Sequence, residues 1–152
     1  MTPPSTAPPL QGISHIALTV DDVPAAVRFW VEVMGFEATT ETPTLGFLVH
    51  RPSRIAVAVT DHGDAGRFDE RRCGLNHLAF AVEGVAALRS WEQRLREHAV
   101  EHSPVADSGS GHHLTLRAPG DIPVELYVVD DATAAAFGLA GPHEAFAGSA
   151  VR

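Results

Sequence analysis

Apolar and polar residues alternate through Gly12-Ile13-Ser14-His15-Ile16-Ala17-Leu18-Thr19-Val20. They alternate again, in nearly the same pattern, through Gly74-Leu75-Asn76-His77-Leu78-Ala79-Phe80-Ala81-Val82. Period-two alternation predicts a strand in each place. Each run is followed by an acidic residue (Asp21, Glu83) and then by a stretch of helical spacing that contains a tryptophan (Trp30, Trp91). The chain therefore repeats one supersecondary unit, with a histidine at the same place in both copies.

In the first unit, Asp21-Asp22-Val23-Pro24 supplies an N-cap and an early proline, which predicts a helix over 24–34. Val27, Trp30, Val31 and Met34 share its inner face, and Gly35 stops it. Strands are predicted at 36–41, 45–50 and 54–60, separated by the turn-forming Thr42-Pro43-Thr44 and Arg51-Pro52-Ser53. The second unit repeats this order, with a strand at 76–82 and a helix at 85–98 whose Leu88, Trp91 and Leu95 face inward. Further strands are predicted at 102–105, 113–117 and 123–129. Residues 1–11 read as a proline-rich arm, 12–60 as the first βαβββ module and 61–73 as a polar linker. Residues 74–130 form the second module, and 131–152 a tail with Phe137, Leu139 and Phe146 as anchors.

Composition narrows the class of partner. The 152 residues carry a formal charge of −8 and contain no lysine, with arginines dispersed, which argues against a nucleic-acid surface. No apolar run approaches the roughly 20 residues of a membrane span. The first residues lack a basic segment and an apolar segment, so no export signal is read and a cytoplasmic location is expected. Cys73 is the single cysteine, which excludes an intrachain disulfide and suits a reducing compartment. A small-molecule substrate is the expected partner.

Alternation also sorts the chemistry. His15, Ala17 and Thr19 share one face of their strand and His77, Ala79 and Ala81 one face of theirs, while the larger aliphatic residues take the opposite, core face. In 123–129, Glu125 and Tyr127 oppose Val124, Leu126 and Val128. A carboxylate in the middle of an apolar strand is costly unless something cationic neutralises it. Two imidazoles and a carboxylate leave coordination positions open, as a catalytic divalent ion requires; Fe(II), Mn(II), Zn(II), Ni(II) and Co(II) all suit them. The plainer reading has both histidines satisfied locally and Glu125 paired with an arginine such as Arg117. Of His112 and His113, one should face the same side as Glu125, where an imidazole acts as general acid or base. Tyr127 is placed to touch a substrate. His50, His62, His98, His102 and His143 read as turn, helix-end or tail residues.

The two histidine strands resemble landmarks of the vicinal oxygen chelate superfamily, to which glyoxalase I, extradiol dioxygenases and bleomycin-resistance proteins belong. So do Val27-Arg28-Phe29-Trp30-Val31-Glu32-Val33-Met34-Gly35-Phe36 and Arg117-Ala118-Pro119-Gly120-Asp121-Ile122-Pro123-Val124-Glu125-Leu126. The resemblance covers residues 12–130. It implies an α+β fold of two paired βαβββ modules forming a cupped mixed sheet, with His15, His77 and Glu125 as ligands of one divalent metal ion. It also implies a homodimer, with a cup completed either within one chain or by modules of two chains. Matching 55–59 to 124–128 puts Ala56 where some members have a fourth ligand, and Leu114 stands where ring-cleaving dioxygenases have a tyrosine. A basic set for a phosphonate, as in fosfomycin transferases, is not found. The implied function is metal-dependent chemistry on a small molecule with vicinal oxygens, dioxygenase-like or glyoxalase-, isomerase- or lyase-like. The competing reading is non-catalytic capture of a small molecule.

Overall fold

A computed structural model describes residue 8, residues 12–63 and residues 66–138. The arm other than Pro8, and the tail from 139 with Leu139, His143 and Phe146, lie outside the described residues. The first module runs β1 (Ile16–Thr19), α1 (Val23–Arg28), β2 (Glu37–Glu41), β3 (Leu45–His50) and β4 (Ile55–Thr60). The second runs β5 (Leu78–Ala81), α2 (Val85–Glu97), β6 (Ala106–Asp107), β7 (Gly111–Ala118) and β8 (Ile122–Val129), and a short α3 (Asp131–Ala136) follows. This is the expected α+β architecture of two βαβββ modules.

Each module folds its strands into one mixed sheet, in the orders β1-β4-β3-β2 and β5-β8-β7-β6. The first strand runs parallel to the last, because the helix carries the chain back over the sheet, and the remaining pairs are antiparallel. Asp22 caps α1 by accepting a hydrogen bond from the Ala25 N–H at 2.8 Å, and Pro24 occupies the first turn.

The helical segment does not stay α-helical to Met34. From Phe29 to Val33 it widens into a π-turn, closed by the Met34 N–H donating to the Phe29 carbonyl at 3.2 Å. A π-turn inserts a residue into the helical repeat. The buried stripe is shifted accordingly: Trp30, Val33 and Met34 are buried, and Val31 is only half-buried. The strand expected at 102–105 is also displaced. His102 makes an isolated bridge to Leu116, and regular pairing begins at Ala106, because Pro104 has no N–H to give the ladder.

The two sheets do not hydrogen-bond to one another; β1 and β5 each end a sheet. The modules meet instead through their helix-covered backs. Trp30, fully buried, packs edge-on against Phe80 with ring centroids 6.1 Å apart, and Phe36 meets the same ring at 6.4 Å. Arg94 of α2 reaches across to the end of the π-turn. There its Nε donates to the Val33 carbonyl at 2.7 Å and its Nη2 to the Glu32 carbonyl at 2.6 Å. Carbonyls at a helix end have no partner in their own helix, so a guanidinium both satisfies them and meets the negative end of the dipole.

Gly46 on β3 allows α1 to lie close to its sheet: a Cβ there would stand 2.5 Å from Val27 Cγ2 and 2.8 Å from Val59 Cγ2. Gly46→Ala is expected to destabilise the protein by about 1–3 kcal/mol through overpacking, which urea denaturation would measure.

Candidate functional site

The site is built on β5 and β8. Their parallel pairing sets Ala79 opposite Glu125 and Ala81 opposite Tyr127, while β7 on the other flank of β8 sets Thr115 opposite Glu125 and His113 opposite Tyr127. The residues between them (Val124, Leu126, Leu114, Leu116) are buried under α2. Alternation thus leaves Glu125, Tyr127, His113 and two alanines on the inner face. His77, one residue before β5, completes the row.

Glu125 is well covered, with 15% of its side chain exposed, and its ion-pair partners are imidazoles. His77 Nε2 lies 3.3 Å from Oε2 and His113 Nδ1 lies 3.8 Å from Oε1. Arg117 is not its partner. That guanidinium donates from Nη2 to Glu70 Oε1 at 2.7 Å and from Nη1 to the Asp121 carbonyl at 3.1 Å. His77 is oriented from behind: Nδ1 is 2.6 Å from Asn76 Oδ1. An amide oxygen only accepts, so Nδ1 is the donor in that contact, and the ring is set with Nε2 turned toward Glu125. In the first repeat the preceding residue again meets the ring, with the Ser14 hydroxyl 2.9 Å from His15 Nδ1. Holding the outer nitrogen of an imidazole in this way is how proteins fix a metal ligand.

His113, not His112, faces Glu125; His112 takes the alternate position on β7, on the side of Leu114 and Leu116. The Tyr127 phenol is clasped by two hydroxyls of the preceding loop, Ser110 Oγ at 2.7 Å and Ser108 Oγ at 3.1 Å. His15 lies apart on the first module. Among the described residues, no three His, Cys, Asp or Glu side chains converge well enough to hold a metal ion.

The inner face of the first module is different in kind. Ala17 pairs with Ala58, which pairs with Phe47, and Leu45 stands two residues before Phe47 on the same face. The repeat makes Ala17 the counterpart of Ala79, so the counterpart of Glu125 is Ala58 and not Ala56. The conclusion drawn from the strand pattern survives the two-residue correction, because alanine occupies both places.

Sequence reasoning missed three supporting features. Asn76 and Ser14 precede each histidine, and that adjacency was the available signal. The hydroxyls of Ser108 and Ser110 could not be linked to Tyr127 without the fold. A cavity of about 400 Å³ between the modules, bordered by Met34, Phe36, Ile55, Phe80, Trp91 and His50, also went unread; His50 Nδ1 contacts Ser53 Oγ at 2.6 Å there.

Residues 12–126 match the profile of the Glyoxalase/Bleomycin resistance protein/Dioxygenase superfamily, and the chain belongs to that family. Biphenyl-2,3-diol 1,2-dioxygenase 3 of Rhodococcus globerulus is 25% identical over 123 residues; the match covers 80% of this chain and 65% of that protein's length. A glyoxylase/bleomycin resistance protein/dioxygenase domain from Frankia sp. EAN1pec superposes with a TM-score of 0.73 at 27% identity, covering 81% of this chain and 95% of the other. Lactoylglutathione lyase from Agrobacterium tumefaciens shares the fold with a TM-score of 0.64 at 22% identity, covering 79% and 95%. Among the described residues, no helix is long and apolar enough to cross a membrane.

The linker is tied to the site through Glu70. Its carboxylate takes the Arg117 hydrogen bond, while its carbonyl accepts from Asn76 Nδ2 at 3.5 Å. The bond from Arg117 holds the Glu70 carboxyl below its ordinary value. A depressed carboxyl contributes stability above its unfolded pKa and loses that contribution as pH falls through the folded one. The stability difference between wild type and Glu70→Gln should therefore be present at neutral pH and vanish below the ordinary carboxylate range. Urea melts at stepped pH would measure it.

Proposed function

We propose that this protein is a metal-dependent enzyme of the reducing cytoplasm, acting as a homodimer on a small molecule that carries two neighbouring oxygens. His15, His77 and Glu125 are its ligands for one divalent ion, Fe(II), Mn(II), Zn(II), Ni(II) or Co(II). The observation that carries this reading is Glu125, a covered carboxylate on an otherwise apolar strand. Among the described residues its ion-pair partners are two histidines, and the nearby arginine is turned to Glu70. Two imidazoles compensate such a carboxylate less well than a divalent cation that they share with it. In chemical type two nitrogens and one oxygen suit that ion and leave positions open for substrate; of the three ligands, this chain brings His77 and Glu125 together, and His15 stands on the first module.

A bound divalent ion supplies Lewis acidity toward a diol, hydroxyketone or enediol precursor. The remaining work falls to the chain. Asn76 holds His77 with Nε2 forward. His113, beside Glu125 on the inner face, is the proton carrier. The Tyr127 hydroxyl reaches a substrate oxygen when it leaves one of its serine partners. The similarity to a diol dioxygenase and to a lactoylglutathione lyase supports chemistry on vicinal oxygens, dioxygenase-like or lyase- or isomerase-like.

Elemental analysis after anaerobic purification tests this reading. Near-stoichiometric divalent metal is expected in the wild type and its loss in His77→Ala and Glu125→Ala; Asn76→Ala should weaken affinity about 10–100-fold. Metal-free protein that also takes up none on titration would sink the enzyme reading in favour of metal-free small-molecule capture. On a substrate that turns over, His113→Asn should lower kcat by about 10²–10⁴-fold with metal content unchanged.

A further inference from the structure

We infer that the substrate carries a carboxylate away from its vicinal oxygens, and that the arginines of the linker take it in a recess at the His77 end of the second module's inner face. This inference rests on the reading of that face as a small-molecule site and adds the chemical class of the molecule. Arg67, Arg71, Arg72 and Arg117, four of the chain's eleven arginines, line one recess of about 780 Å³. In a chain of formal charge −8, cations gathered at one place mark where an anion is drawn.

The recess adjoins the inner face through Arg117. Alternation on β7 puts Arg117 on the side of His113 and Thr115, away from the buried Leu116 and Ala118. Thr115 pairs with Glu125, so Arg117 stands two residues, about 7 Å, further along the strand. The linker is pinned there. Phe68 packs against the core while its N–H donates to the Gly120 carbonyl at 3.2 Å, and the Glu70 carbonyl meets Asn76, the residue that orients His77. A tight turn displays the arginines, with the Arg71 N–H bonded to Asp69 Oδ1 at 3.0 Å and the Arg72 N–H to the Asp69 carbonyl at 3.1 Å.

The recess already holds carboxylates of the chain itself, and they show what its arginines accept. Arg117 takes Glu70 at 2.7 Å, and Arg71 and Arg72 share Asp69, with Nε at 3.0 and 3.6 Å from its two oxygens. With Asp121, three acidic residues line the recess against the four arginines, so positive charge is in excess. One carboxylate cannot fill two guanidinium forks. The side chains of Arg71 and Arg72 stay 86% and 85% exposed, and Arg67 is exposed and makes no ion pair with a described residue. The unused N–H donors suit the planar, two-oxygen form of a carboxylate. A molecule whose vicinal oxygens lie at His77 and Glu125 meets them with a carboxylate a few bonds away.

The probes are 2-oxoglutarate and 2-oxovalerate, which share their vicinal oxygens and carbon chain and differ in a distal carboxylate against a methyl group. Calorimetric titration of the full-length chain, with and without Co(II), should show a preference of about tenfold for 2-oxoglutarate that weakens with added salt. The double variant Arg71→Gln/Arg72→Gln should make the two affinities nearly equal, through loss of 2-oxoglutarate binding alone. Arg28→Gln/Arg89→Gln removes the same charge from exposed positions on α1 and α2 and should keep the preference. Equal affinities in the wild type, or no binding of either compound at millimolar concentration, would overturn the inference. So would a preference that survives Arg71→Gln/Arg72→Gln, or one lost equally in both double variants. A full preference in protein that takes up no cobalt would retire the metal and leave the carboxylate recess standing. Cobalt uptake without any preference would retire the recess and leave the metal.

Discussion

Trp30 is completely buried at the seam between the modules, where Phe29, Phe36 and Phe80 meet its ring edge-on at 5.2 to 6.1 Å. Aromatic rings prefer this geometry, and a fully buried indole dominates the energy of its neighbourhood. The π-turn that carries Trp30 ends on carbonyls that Arg94 of the other module satisfies. Apolar packing and directional hydrogen bonds therefore fix one relative placement of the two sheets. The direction in which each inner face points, and hence which donors can meet, follows from that placement.

Within each sheet the controlling constraint is the parallel pairing of first and last strands. It sets Ala79 beside Glu125, which gives the carboxylate a small neighbour and lets the imidazole of His77 approach it. The β7 pairing then adds His113 and Thr115 on the far side. Leu114, Leu116, Val124 and Leu126 hold these strands down beneath α2, so the polar row stands on a packed base. Preorganised donors of this kind need no rearrangement when a ligand arrives.

Much of this was legible in the sequence, because the repeat is written in period-two strands and capped helices, both local patterns. His77 and Glu125 could be placed on one face by alternation, and the structure brings them to 3.3 Å. His113 was identifiable as one of a pair. The π-turn was not readable, since a five-residue hydrogen bond leaves no mark on composition, and it moved burial from Val31 to Val33. Aligning the fourth strand with the eighth by pattern alone slipped by two residues, because a shift of two keeps every side chain on its face. The back-to-back packing was hidden for a different reason. Trp30 and Phe80 each looked like core of its own module, and nothing local distinguishes a core residue from one that spans two.

The unequal inner faces carry a consequence for how such a chain can change. Glu125, His77 and His113 sit on one half of a duplicated unit, whereas the corresponding half offers Ala17, Ala58, Phe47 and Leu45. Substitutions among the second group alter the shape and oiliness of their own face without adding or removing a charge beside Glu125. Duplication has in effect given one sheet scaffold two different inner faces, one ionisable and one apolar, and either can vary while the strand pairing beneath it stays the same.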